Sequence, residues 1–442
     1  MAAQVGQITV NVVDNLMVGV LGAAALAAIS VSIAIFIIFY VVGMGISYAL
    51  PPLISHADGS DQHKEIKRYF KHSLIINVSY AVFAILSIEA IIPFLENLGQ
   101  DPDVVVLAIP YLRLAAWSML PMMLFQTFRC YADGLSETMP SMIAMLIGNV
   151  ANVLLNYVLI FGKFGVEARG VEGAALGTLI SRILMCVLIV VILYNWKDIW
   201  KHLYFINFRR YHKNLFKKVL SLGIPTSLQM FFEVSAFAGC ALIMGSISKE
   251  AQAAHQIAIN LAAITFLTCT GLSMASTIRV GRRLGQGRIL MARHAGLSAI
   301  IQAVLLMFCT AIVFVLLRDF LPTLYIKDGN VIAIASTLLI MAAIFQIPDG
   351  VQVTALGALR GIQDVNIPSA ITFFAYWMIG LPISYLTAFY SNLGPIGVWL
   401  GLVVGLSVSG SLLTWRFYNK TRSLDSLKRD EDENDLSQII VG

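Results

Sequence analysis

The sequence predicts an all-α polytopic membrane protein with twelve transmembrane helices in two pseudo-symmetric six-helix lobes. Three observations lead there. Hydrophobic residues make up 58% of the 442-residue chain and charged residues only 12%, about half the share in ordinary soluble proteins; mean hydropathy is +0.80. Apolar runs of ~20 residues recur along the whole length, each long enough to cross a hydrocarbon core of about 30 Å as a helix. Lipid offers backbone polar groups no partner, so only helices or closed barrels span it, and these runs are too long and continuous for barrel strands. Finally, the chain repeats itself. At a shift of 226 residues, LGAAALAA from Leu21 falls on ISKEAQAA from Ile247, Gly45 on Gly271 and Gly59 on Gly285. GVEGAALG from Gly170 matches GPIGVWLG from Gly394, and DGLSETMPS resembles RGIQDVNIPS. Six spans per half, with equal parity, make the repeats parallel about an axis along the membrane normal.

The spans follow in order, each closed by turn residues or charge. The first, near 1–20, opens at Met1 with almost no leader, so the native start is expected upstream. The second, 24–54, gives way to HADGSDQHKEIKR; the third, 72–97, to ENLGQDPD; the fourth, 104–129, to DGLSETMP. The fifth, 138–163, stops at GKFGVEARG, and the sixth, 170–195, runs into a basic segment. Spans seven and eight lie at 219–246 and 250–277, the latter closed by RRLGQGR. The ninth, 291–317, precedes IKDGN; the tenth, 330–359, precedes RGIQDVNIP; the eleventh, 366–390, precedes SNLGP; the twelfth is 395–418.

The domain reading is an N-lobe at 1–195, a basic inter-lobe linker at 196–218, a C-lobe at 219–418 and a charged tail at 419–442. Lys and Arg collect in the linker and in the even-numbered breaks, for example Lys64, Lys67, Arg68, Arg282, Arg283 and Arg288. The positive-inside rule therefore places both termini in the cytoplasm of a multi-pass protein of the cell membrane. The linker reads as a topology determinant that also meets anionic membrane lipids. The net charge of +5 implies no nucleic-acid partner, and the chain reads as a monomer. The five cysteines are scattered over separate spans without a CxxC or Cys/His spacing, which signals neither a disulfide framework nor a metal centre.

Three acids interrupt the apolar runs: Asp14 in VDNLMVGVLG, Glu233 in MFFEVSAFAG and Asp349 in FQIPDGVQ. A charge near the bilayer centre costs about 2.5 kcal/mol or more, and its default reading is an ion or proton path. No Walker A loop, HExxH or GxSxG is present, so neither ATP use nor enzyme chemistry is indicated and no cofactor is expected. A secondary transporter follows.

VDNLMVGVLG, the run MFFEV ending at Val234, AAHQIA from Ala253 and ALGALRG from Ala355 together resemble the multidrug and toxic compound extrusion (MATE) transporters, NorM-like branch. The likeness runs over about residues 1–418 in order and spacing. It implies two six-helix lobes and export of organic cations in exchange for sodium or protons. The opening departs from the pattern, because relatives carry a leader and a proline-containing turn before helix one.

Two sites emerge. In the N-lobe, Asn152 and Asn156 share one face of span five, and Ala174 and Thr178 are one turn apart on span six. With Asp14 they offer a carboxylate, amide oxygens and a hydroxyl, hard ligands that suit Na+, or a proton on Asp14. The resemblance points to the same positions, with the Ala174 carbonyl. Interhelical hydrogen bonding is the plain alternative for the asparagines. In the C-lobe, Glu233 lies downstream of Pro225, and Asp349 follows Pro348, which frees the Ile344 carbonyl about a turn away. Two carboxylates in one apolar lobe repel, and burial opposes their charge, so one is protonated or balanced by a cation. The resemblance assigns Glu233 and Asp349 as the cation-coupling pair. Phe345 stands where an aromatic hydroxyl is expected, which weakens a sodium site there.

Gln229, Gln346 and Gln352 lie within a turn of these acids as supporting groups. His255 and Gln256 start span eight, to cap, brace or titrate. Glu89, Arg113 and Arg182 are intramembrane charges without an assigned role; Arg113 could snorkel or pair with an acid. The leading function is antiport of organic cations against Na+ or H+ by alternating access of the lobes. The alternatives are a lipid-linked oligosaccharide flippase, whose cavity would need several basic residues, and a non-transporting receptor or scaffold. The residues leave sodium and proton open, because the same oxygens serve both.

Overall fold

The computed structural model describes residues 17–98, 101–201, 203, 212–391 and 393–441, the side chains of 23, 96–98, 197–198 and 428–441 excepted. The first span up to residue 16, Asp14 included, lies outside the described residues. Within them the protein is all helical, and eleven stretches are long and apolar enough to cross a membrane. They coincide with spans two to twelve. This is an all-α, multi-pass membrane protein.

Two compact units form, Met1–Ile54 with Gln62–Ser227, and Ser55–Asp61 with Leu228–Gly442. The first holds α1 (Ala23–Ser47), which breaks at Tyr48 and Ala49, and then the opening residues of α2 (Leu50–Gly59) as far as Ile54. Pro51 and Pro52 sit at the start of α2, where missing N–H groups go unmissed. Next come α3 (His63–Ile91), α4 (Pro102–Trp117), α5 (Met119–Gly134), α6 (Met139–Phe161) and α7 (Gly170–Asn195). Asp101 caps α4 by accepting from the Asp103 amide at 2.9 Å, and Gly162, at φ 68°, ends α6. The short α8 (Lys197–Trp200) follows, and the Tyr131 hydroxyl on α5 donates to the Ile199 carbonyl at 2.8 Å. A core of Phe36, Ala81, Ile88, Leu112, Met119 and Met123 holds α1, α3, α4 and α5 together. Gly173 lets α7 press against the Leu159 backbone of α6, where a Cβ would collide.

The second unit contains most of α9 (Lys213–Ile247), then α10 (Lys249–Gly285), α11 (Ile289–Leu316) and α12 (Gly329–Gly361). Its last elements are α13 (Asn366–Phe373), a π-helical turn at Phe374–Gly380, α14 (Leu381–Phe389) and α15 (Pro395–Val441). Ser248 caps α10 through the Ala251 amide at 3.0 Å, and Asp328 caps α12 through Asn330 at 2.8 Å. The π-helical turn directly precedes Pro382, whose missing N–H cannot continue a regular ladder. Helices α10 and α12 lie close because Gly357 and Gly361 carry no side chain. Ser273 donates to the Val353 carbonyl at 2.6 Å and Thr277 to that of Gly357 at 2.8 Å. The core gathers Met244, Leu338, Tyr376, Trp399 and Leu406.

Several helices outrun their apolar spans. The third begins at His63 rather than 72, and the eighth continues to Gly285 rather than 277. Hydropathy marks only what lies in lipid, whereas Lys, Arg and Glu are good helix formers and carry the helix into water.

Candidate functional site: an acidic, aromatic-walled cavity

Glu233 on α9 and Asp349 on α12 face the same cavity of about 220 Å³ in the second unit. Its walls are apolar, with Met230, Phe237, Phe266 and Phe345 among them. Asp349 is 3% exposed, and Glu233 is half-buried. Aromatic rings continue outward from this wall. Phe237 meets Phe345 edge-on at 6.0 Å between centroids, and Phe345 meets Trp399 at 5.4 Å.

A polar shell supports the acids. Gln229 hydrogen-bonds the Glu233 carboxylate, and Arg360 lies within electrostatic reach of it. Arg360 Nη2 donates to Gln229 Oε1 at 3.0 Å, which turns the Gln229 amide nitrogen toward Glu233. Gln346 Oε1 accepts from the Thr310 hydroxyl, and Gln352 Oε1 accepts from the Tyr376 hydroxyl at 2.7 Å. Tyr376, Thr310 and Arg360 thus join the shell without a signal in the sequence. No spacing signals Tyr376, because the π-helical turn sets its direction.

The expectations for His255 and Gln256 need correction. Ser248, not His255, caps α10. His255 sits nearly two turns inside the helix, 2% exposed, with its ring edge-on to Trp399 at 5.8 Å. Gln256 points away from that core and donates to Asn260 at 3.1 Å. At about 100° per residue, Ile344 is about 140° round α12 from Asp349, and its side chain lines a separate apolar groove with Ile347 and Phe308.

In the first unit, Asn152, Asn156, Ala174 and Thr178 converge where α6 meets α7. Asn152 Nδ2 donates to Thr178 Oγ1 at 3.5 Å and to Ser181 Oγ at 3.2 Å. Asn156 Nδ2 reaches Asn152 Oδ1 at 3.4 Å, and Thr178 donates to the Ala174 carbonyl at 3.0 Å. Gly177 leaves the room that the Asn156 amide occupies. Ser181, three residues after Thr178 and so on the same face of α7, completes the group. Asn156, Ala174 and Thr178 line a cavity of about 380 Å³ with Phe36, Tyr40 and Arg182. Arg182 Nη1 donates to Ser118 Oγ, and its guanidinium lies 4.9 Å over the Phe36 ring. Glu89 and Arg113 pair with one another at 3.2 Å across α3 and α4.

The arrangement can take up and release a cation or proton on paired carboxylates beside aromatic surface suited to organic cations. The profile of the MatE family matches residues 1–158 and 225–386 of this chain. "Multidrug resistance protein MdtK" of Pectobacterium atrosepticum is 34% identical over 428 residues, 94% of this chain and 92% of the relative. "Probable multidrug resistance protein NorM" of Rhizobium meliloti is 33% identical, covering 96% and 92%. Among solved structures, one described as the outward-facing conformation of a multidrug resistance MATE family transporter of the MOP superfamily matches with a TM-score of 0.89. That match has 21% identity and covers 96% of this chain and 94% of the other. A MATE complex with MaL6 matches at 0.88 and 21%, covering 96% and 95%. These structures share the fold.

Proposed function

This chain belongs to the MatE family, and from that premise we propose that it is a secondary active antiporter exporting organic cations in exchange for Na+ or H+. Transport proceeds by alternating access of the two lobes. It acts as a monomer in the cell membrane with both termini in the cytoplasm. The observation that carries the reading is the pair Glu233 and Asp349 in one aromatic-walled cavity. Acidic charge in a low-dielectric cleft draws cationic substrates, and relatives about a third identical are named multidrug resistance proteins. Asn152, Asn156 and Thr178 form the polar group that, with Asp14, controls substrate release.

Purified protein in liposomes should move an ethidium-type dye under an imposed ion gradient and stop when an ionophore collapses it. Movement that ignores the gradient, or that needs ATP, overturns the reading. A lipid-linked oligosaccharide flippase would need several basic residues facing a diphosphate. Arg182 is the one Arg or Lys lining the two cavities described, which favours the exporter.

A further inference from the structure

We propose that the ion exchanged for substrate is the proton and not sodium, carried by the Glu233–Asp349 pair. The inference rests on the exporter reading and adds the identity of the coupling ion. It follows from counting oxygen atoms that a metal cation could reach.

A hard cation takes about six oxygen ligands. Of the residues lining the acidic cavity, only Glu233 and Asp349 carry oxygen in their side chains; the others are Met, Phe, Val, Ile and Ala. Two carboxylates supply four oxygens at most, so a metal cation here would have to draw the rest of its shell from water held against apolar walls. Phe345 lines the wall directly one turn before Asp349 and contributes a ring face without a hydroxyl.

The surrounding amides do not make up the deficit. Three glutamines flank the acids, and each has its oxygen engaged by a donor: Gln229 by Arg360, Gln346 by Thr310 and Gln352 by Tyr376. These hydrogen-bond networks assign the amide orientations. None of the three glutamines is among the residues that line the cavity, so their oxygens are not presented to an ion held between the acids. Pro225 and Pro348 free the Ser221 and Ile344 carbonyls, but neither Ser221 nor Ile344 is among the described residues that line the cavity. Arg360 adds a positive charge near Glu233.

A proton asks for much less. It needs one carboxylate lone pair, and the second carboxylate of the cavity can stay charged or take the proton in its turn. Gln229, which hydrogen-bonds Glu233, and the nearby Arg360 charge steady that carboxylate while it is charged. The proton arrives from water outside, binds one carboxylate oxygen of the pair and leaves to cytoplasmic water. No other bond changes. In the first unit, Asn156 and Thr178 share their cavity with the permanent charge of Arg182, which also opposes a second metal cation.

Two measurements test the proposal with the full chain. In liposomes, an inward pH gradient at equal sodium should drive dye transport more than about tenfold faster than an inward sodium gradient at equal pH. Equal or faster transport under sodium overturns the proton assignment. Separately, purified protein titrated with sodium chloride in a calorimeter, against choline chloride, should give no saturable heat. Saturable sodium binding that Asp349→Asn removes overturns the assignment even if no dye moves. A dye that moves under neither gradient counts against the exporter reading, while the titration still decides between sodium and proton.

Discussion

Glu233 and Asp349 lie in one cavity that no other charged side chain among the described residues lines. Glu233→Gln and Asp349→Asn keep shape and most hydrogen bonds and remove only the charge. Each should abolish gradient-driven dye efflux while the purified protein elutes and melts as the wild type does. Efflux at the wild-type rate from either variant would make that residue structural. The acids were legible because a charge in an apolar run is costly and conspicuous. Their partners were less so. Gln229, Gln346 and Gln352 could be found by one-turn spacing, whereas Arg360 reads as a cytoplasmic charge in sequence and turns out to hold the Gln229 amide. A side chain as long as Arg reaches one or two turns from its Cα, and sequence position does not say in which direction. His255 shows the opposite failure. Its polarity suggested a terminus, yet Trp399 buries it.

Among the elements, α3 and α4 answer what became of two intramembrane charges that had no role. Glu89 and Arg113 neutralise each other at 3.2 Å, with 31% and 53% of the side chains exposed. Reversing either charge leaves two like charges together in membrane-spanning helices. Glu89→Arg and Arg113→Glu should each lower the melting temperature in detergent, and the double reversal should recover most of the loss. A double-mutant coupling of about 0.5–3 kcal/mol is the expected range; additive losses would show that the pair does not matter to stability. The sequence allowed Arg113 an acidic partner but did not name Glu89, because the two residues lie on different helices whose relative rotation is set by packing. The π-helical turn at Phe374–Gly380 has a local cause in Pro382, but its effect, the delivery of Tyr376 to Gln352, is tertiary.

At the scale of the whole molecule, the basic breaks predict the orientation. Lys64, Lys67 and Arg68 open α3, and Arg282 and Arg283 close α10. Both should face the cytoplasm, with the charged stretch beyond residue 418 on the same side. Trypsin should therefore clip the C-terminal stretch in inverted membrane vesicles and spare it in right-side-out ones; the reverse pattern would invert the topology. The basic 196–218 segment is tied to the first unit near both ends. Tyr131 holds Ile199 at 2.8 Å, and the His212 amide donates to His72 Nε2 at 3.2 Å. His72 Nδ1 lies 2.7 Å from the Arg68 carbonyl, which places the ring proton on Nδ1 and leaves Nε2 to accept.

The sequence by itself determined the membrane class, spans two to twelve and the positions of the acids. Those properties are additive along the chain: the cost of leaving a residue in lipid depends chiefly on that residue and its window. What only the tertiary structure decided is which groups face one another. It brought Glu233 and Asp349 to one cavity, gave every flanking glutamine oxygen a donor and set Arg182 beside Asn156 and Thr178. Helix rotation and glycine-mediated close approach choose those neighbours, and both follow from packing against the rest of the fold.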